Sequence, residues 1–276
     1  MIRVIKQSHD IWGPCPDDYV DNLKWIEFAG RICYQSQDKI TDDSYIKFTD
    51  MLCDKGHWAM LEHSNFVITV RYRQSNLDDS KFIYRTETGR ALYYSGNYRA
   101  FMEALGFKKL KEIKNLMNYQ VPFKDQPWPC KSVSVIFKTN RAMTLEQVRH
   151  RPASYAQLSQ RYVSHTGRTD MILPVQYYDK TEMNPKYDKW YEAMNTAMSY
   201  YRDLREYGES PQQARNVLPN SIATEIVVTA SLPEWRHIFN LRCSKAADPQ
   251  MQDLMKPVMD EFIQNGWMNV NEPDWY

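Results

Sequence analysis

Between Arg141 and Arg168 the chain carries five arginines (141, 149, 151, 161 and 168) and two histidines against a single acid, Glu146. At the centre of this segment runs Arg149-His150-Arg151-Pro-Ala-Ser154-Tyr-Ala-Gln157-Leu-Ser159-Gln-Arg161-Tyr162. Arginine presents a rigid fork of N–H donors that matches a phosphate with two parallel bonds, and it stays charged at any physiological pH. Ser154, Gln157 and Ser159 add neutral groups that donate and accept, suited to orienting a base or a sugar. The chemistry this predicts is capture of a small anion that carries a polar ring. On charge alone the better explanation is a solvated basic face at a helix end, where cations meet the C-terminal dipole.

Other residues invite chemistry and fail a test of spacing. His57, Glu62 and His63 are metal-ligand types, but their order fits neither H-E-x-x-H nor H-x-x-E-H, so no metal is expected. Ser159 shows no identifiable base and orienting partner, and reads as a hydrogen-bonding group rather than a nucleophile. Tyr155 and Tyr162 beside the arginines support a second reading, an RNA- or nucleotide-binding module that uses 141–168 as a basic patch with stacking surfaces.

Spacing favours a site over a solvated face. Arg149-His150-Arg151, seven intervening residues, Ser159 and then Arg161 resemble the signature of the flavin-dependent thymidylate synthases. Upstream, Gly56-His57-Trp-Ala59-Met-Leu-Glu62-His63 is similar to that family's G-H-x-[ST]-x-x-E-H segment. Downstream, Ala214-Arg215-Asn-Val-Leu-Pro219 resembles A-R-x-x-L-P, and Phe239-Asn-Leu-Arg242 resembles its helix ending in L-R. The resemblance covers about 29–257, less a segment at 72–128. It departs at Ala59, at Ala156, and at Ser231-Leu-Pro233, where the family carries N-x-R for flavin contacts. Ser95-Gly-Asn97-Tyr-Arg99 echoes the missing N-x-R from inside the 72–128 segment, either as a replacement contact or as a turn before a helix.

The resemblance implies reductive methylation of dUMP to dTMP, with methylenetetrahydrofolate as carbon donor and NADPH-reduced FAD as hydride source. It implies dUMP contacts from Glu146, Gln147, Val148, Arg149, Gln157, Leu158, Ser159, Gln160, Arg161, Arg215 and Arg242. Of these, Arg161 and Arg215 would hold the phosphate, and Arg242 would act on the pyrimidine as the catalytic residue. His57, Glu62, Arg149, His150, Arg151, Gln157 and His237 would border FAD. A homotetramer with shared active sites is implied as well. A rival within enzymes is a cysteine-nucleophile thymidylate synthase, because Pro129-Cys130 matches its Pro-Cys, although in no other matching context.

These residues need a scaffold, and the composition allows one. The chain has 276 residues, 35 Lys+Arg against 34 Asp+Glu, 43% hydrophobic and 13% aromatic residues. That profile excludes disorder, and a net charge of +1 argues against a polymeric nucleic-acid partner. No apolar run approaches the ~20 residues of a membrane span, and the N-terminus has no apolar signal core. Five scattered cysteines without a C-x-x-C read as reduced thiols in a cytoplasmic protein.

One catalytic domain over 1–276 is expected, α+β, with a twisted sheet flanked by helices and 72–128 inserted between two paired strands. Those strands are Phe66–Arg71 and Ser132–Phe137. Helices are expected within 16–57, over Tyr98–Met117, from a Thr144/Gln147 capping box to about Arg151, over 187–204, and over 234–242 and 249–262. Ser221–Ala230 is open between strand and helix.

Overall fold

The computed structural model describes residues 2–178 and 184–269. In chain order the strands are β1 (Ile2–Ile5), β2 (Ser8–Pro14), β3 (Asn65–Val70), β4 (Tyr84–Thr88), β5 (Ala91–Asn97), β6 (Ser132–Asn140), β7 (Ser154–Gln157), β8 (Thr169–Ile172) and β9 (Ala223–Ser231). The helices are α1 (Tyr19–Tyr34), α2 (Ser44–Asp54), α3 (Ser75–Asp78), α4 (Tyr98–Leu105), α5 (Arg141–Gln147), α6 (Pro185–Glu206), α7 (Pro211–Ala214), α8 (Leu232–Arg242) and α9 (Pro249–Gln264). The mixture of sheet and helix is the expected α+β class. Among the described residues no helix is long and apolar enough to cross a membrane.

The principal sheet has the order β2-β6-β9-β7, antiparallel throughout. Strand β6 alternates. Val133, Val135 and Phe137 point to one face, where they meet Trp235, Ile238 and Phe239 of α8 and Met251, Leu254 and Phe262 of α9. On the other face Ile136 and Val227 pack with Ala29 and Ile32 of α1. The segment 221–230 is therefore a strand, β9, covered on both faces. A strand buried on both sides is apolar on both sides, which removes the period-two signal that would have distinguished it from a helix.

The pairing expected across 72–128 does not form. Strand β3 joins β5 and β4 in a separate sheet of order β3-β5-β4, while β6 pairs with β2 and β9. The segment carries its own strand partner, Ala91–Asn97, which reaches β3 across a much shorter loop than β6 does. The β3 sheet packs Phe66, Ile68 and Tyr94, with Tyr98 of α4, against Leu23, Ile26 and Leu52 of α1 and α2. The helix expected over Tyr98–Met117 stops at Leu105, because Gly106 takes a left-handed φ of 70° and caps it. A 3₁₀ segment follows from Leu110 to Tyr119.

Three strands run directly into helices through the same hinge. Asn97, Asn140 and Ser231 end β5, β6 and β9, and their side chains accept the N–H of Ala100, Met143 and Glu234. Asn140, rather than Thr144, is thus the cap of α5, and Thr144 Oγ instead bonds the Arg141 carbonyl. Because β6 and β9 are antiparallel, α5 and α8 start at opposite ends of the sheet. Helix α8, ~16 Å long at 1.5 Å per residue, runs back across the shared face and delivers Arg242 to the end of α5.

Candidate functional site

Helix α5 is the spine on which the predicted residues gather. At its end, Arg242 Nη1 donates to Glu146 Oε2 at 2.6 Å and Nη2 to the Glu146 carbonyl at 3.2 Å. Arg242 Nε donates to His150 Nε2 at 2.9 Å. A guanidinium cannot accept, so Nε2 must be the unprotonated, accepting nitrogen of a neutral imidazole. Burial, then Arg242 and then His237 hold His150 down to about 4. His237 meets it edge to face, with ring centroids 5.9 Å apart. Tyr155 Oη lies 2.8 Å from the Gln147 carbonyl and 3.0 Å from that of His150, tying the turn after α5 to β7.

Two cations flank this knot. Arg149 is exposed, and its guanidinium has no partner among the described residues. Arg151 donates to the His150 carbonyl at 3.0 Å and lies over the Tyr155 ring. Val148 packs against the apolar face shared with α8, and Gln147 is buried with neither amide atom bonded to any of the described residues.

The start of α5 differs. Arg141 is half-buried, its backbone N–H fixed to the Asn220 carbonyl at 3.0 Å. Burial, then the charge of Arg215, pull its guanidinium below its ordinary value. Neither Arg141 nor Arg215 has a side-chain hydrogen bond or ion pair among the described residues. Arg161 Nε donates to Gln212 of α7 at 3.0 Å, three residues before Arg215. Three guanidinium groups thus gather near α7 without an acid among their bonded partners.

The loop Gln157–Arg161 joins the two ends. Gln157 Nε2 donates to Thr144 Oγ at 2.8 Å, so β7 is pinned to the middle of α5. The Leu158 N–H bonds the Glu225 carbonyl and the Ser159 N–H bonds Cys33 at the end of α1, both at 2.9 Å. Ser159 Oγ accepts from the Arg161 N–H at 3.3 Å. Gln160 is half-buried in this loop.

At the other end of β7, ~10 Å away at 3.3 Å per residue, Ser154 donates to Glu62 at 3.3 Å. Arg99, carried by α4 of the 72–128 segment, donates to the other Glu62 oxygen at 2.8 Å and to Glu103. Asn97 is occupied as a helix cap, so of the echoed N-x-R only the arginine reaches this region. His57 is exposed and lines the same cavity as Arg99. His63 is not beside it as a ligand: it is buried, with Nδ1 bonded to Thr229 at 2.9 Å, and burial holds it down to about 4. No metal-binding cluster occurs among the described residues.

Two further cations stand near these groups. Arg141 was visible as one of five arginines, but its convergence with Arg215 is a tertiary fact. Arg99 was visible only as an echo. Cys130, conversely, has none of the properties of a nucleophile: it is 2% exposed and desolvation pushes its thiol up to about 12.

The donor set suits an anionic cofactor such as FAD: among the described residues exposed Arg149 and Arg151 carry no carboxylate partner, and the His237 ring lies edge to face on the neutral His150. Ser231 and Pro233 offer nothing to it, because Ser231 caps α8 and Pro233 lies in its first turn.

A family model described as thymidylate synthase complementing protein matches residues 87–265, beginning inside the segment expected as an insertion. The chain is similar to the flavin-dependent thymidylate synthase of Pyrococcus furiosus, 31% identical over 128 residues, 45% of this chain and 51% of that protein. It resembles the flavin-dependent thymidylate synthase of Mycobacterium marinum at 26% over 258 residues, 86% of this chain and 74% of that one. With that of Corynebacterium glutamicum it shares 23% over 249 residues, 83% and 70% of the two chains. The chain therefore spans about half the length of the Pyrococcus relative. The matched residues include β6, α5, β7, α7 and α8, and the chain belongs to the thymidylate synthase complementing protein family.

Proposed function

We propose that this protein is a flavin-dependent thymidylate synthase that methylates dUMP to dTMP, using methylenetetrahydrofolate as carbon donor and NADPH-reduced FAD as hydride source. The observation that carries the reading is the polarity of α5: arginines without side-chain partners among the described residues at its start, and a bonded Arg242–Glu146–His150 knot at its end. The two lie ~8 Å apart along the helix, which suits the phosphate and the base of one mononucleotide.

Arg215, Arg161 and Arg141 take the phosphate through charge-assisted bonds, and the Gln157–Leu158–Ser159–Gln160 loop closes on the sugar and base. Glu146, Gln147, Val148 and Arg149 border the pyrimidine. Arg242 spends three of its five N–H donors on Glu146 and His150, leaving two for the ring. A fixed cation there stabilises the anion left when N3 loses its proton, which makes C5 nucleophilic. One such preorganised donor is worth ~3 kcal/mol. His150 stays neutral, so it positions Arg242 without adding a competing charge. FAD, when bound, supplies the hydride that completes the methyl group. His57, Glu62, Arg149, His150, Arg151, Gln157 and His237 would hold it. Assembly as a homotetramer with shared sites and a cytoplasmic location belong to the same reading.

Two measurements test it. The purified protein, incubated with FAD, acquires a flavin absorbance band, and the loaded enzyme releases tritium from C5-labelled dUMP only with the folate and NADPH present. A protein that stays colourless and takes up no FAD overturns the reading.

A further inference from the structure

A separate cavity of about 650 Å³ lies at one end of the β3-β5-β4 sheet, covered by α3, the end of α4 and the 3₁₀ segment Leu110–Tyr119. That volume is within the range of sites that take drug-sized ligands. Its walls are aliphatic, with Ile68 and Val70 of β3, Leu77 of α3, Leu105 of α4 and Leu116 of the 3₁₀ segment. Among the described residues the only aromatic ring in the lining is Tyr119, itself largely exposed. The lining carries two cations and, among the described residues, no aspartate or glutamate. Arg71 follows β3 directly, and Arg90 stands in the turn from β4 to β5, where Gly89 takes a left-handed φ of 61°. Because Val70 pairs with Leu92, both arginines stand at the same end of the sheet. Both are exposed, and neither guanidinium has a hydrogen bond or ion pair among the described residues. Asp78 of α3 and Glu87 of β4 pair with Arg85 and Arg73 instead.

An aliphatic slot with two unspent guanidinium forks at its mouth fits an amphipathic anion. Walls without a stacking face offer little to a nucleobase or a flavin. Each fork matches a phosphate or a carboxylate with two parallel bonds. Two forks together suit the near-dianionic, three-oxygen head of a phosphate monoester better than the single charge of a carboxylate. We propose that this cavity binds an alkyl phosphate, its chain among the leucines and its head on Arg71 and Arg90. None of the lining residues is among those assigned to dUMP or FAD, so the site stands independently of the reading under Proposed function. A soluble alkyl phosphate and the phosphatidic acid of a membrane share this chemistry, and the test separates them.

The test is isothermal titration calorimetry of the full chain with hexyl, octyl and decyl phosphate, each below its micellar concentration. One-to-one binding should tighten about fourfold per added methylene. Octanol and octanoate should bind more weakly than octyl phosphate. The double variant Arg71→Ala/Arg90→Ala changes only exposed side chains, so its Tm should match wild type. It should weaken octyl phosphate roughly tenfold or more and leave octanol unchanged. Leu116→Trp, which fills the slot, should weaken both. Sedimentation with phosphatidic acid vesicles, lost in the double variant, would uphold the site with a membrane lipid as its source. Titration without sedimentation would uphold it with a soluble ligand. Four results would overturn the proposal: no binding at any chain length, equal binding of octanol and octyl phosphate, a double variant that binds octyl phosphate as wild type does, and sedimentation with vesicles by a protein that no soluble alkyl phosphate titrates.

Discussion

The two ends of α5 treat positive charge in opposite ways. At the C-terminal end Arg242 is bonded to a carboxylate, a carbonyl and an imidazole, so its orientation is set by the protein. At the N-terminal end Arg141 feels the charge of Arg215, and neither is bonded to an acid among the described residues. The first arrangement is held by bonds within the chain; the second has no such side-chain bonds among the described residues. A group that must act in a transition state gains from being held in advance, because reorienting it would cost energy at the moment of reaction. Groups that only grasp a substrate gain from an unspent charge, which strengthens binding at some cost to the empty fold.

The largest break of this contrast comes from Arg242→Ala. Turnover should fall on the order of a hundredfold or more while flavin is retained. The stability of the free protein should also fall, because Glu146 and His150 lose their partner. Tritium release within tenfold of wild type would remove Arg242 from the reaction. At the other end, Arg141→Ala should raise the KM for dUMP roughly tenfold to a hundredfold, the scale of one charge-assisted bond. Its free-state Tm should hold or rise, since a repulsion is relieved. A drop in Tm matching that of Arg242→Ala would mean that the two ends do not differ.

A pH scan sharpens the comparison. His150 is held down to about 4 from an ordinary 6.5, so the folded state binds fewer protons than the unfolded one between those values. Its contribution is whole above pH 6.5 and is lost as pH falls toward 4, up to ~3 kcal/mol. His63, also held down to about 4, acts in the same window. Urea unfolding at pH 7 and pH 5 should show His150→Gln less pH-sensitive than wild type, and equal slopes would place a charged imidazole there. The smallest effect is expected off the helix altogether. Cys130→Ala should leave tritium release within about twofold, and its loss would restore the cysteine-nucleophile mechanism.

Much of the site was legible because its residues cluster in sequence: Glu146 to Arg161 is one continuous stretch, and R-H-R needs no fold to be recognised. The fold was less legible where environment overrides pattern. β9 showed no periodicity because α1 covers one face and α8 and α9 the other. The partner of β3 was misread because the 72–128 segment brings its own strand, and a hydrophobic strand does not specify which neighbour it will meet. The short α5 was placed on the wrong cap, since Asn140 and Thr144 are both good cap residues and only the hinge from β6 chooses between them.

By itself the sequence supplied residue types suited to a phosphate and a pyrimidine, and histidine spacings that match neither zinc pattern. Those properties belong to side-chain types and short spacings, which survive without a fold. What only the tertiary structure decided is which charges are already answered. Arg242 meets Glu146 across 96 positions of chain because antiparallel β6 and β9 send their helices toward each other. Arg141 comes within the field of Arg215, and Arg99 arrives at Glu62 from the segment that carries β4 and β5. Whether a charge is spent or left for a ligand depends on what surrounds it in space, and that is written only in the folded chain.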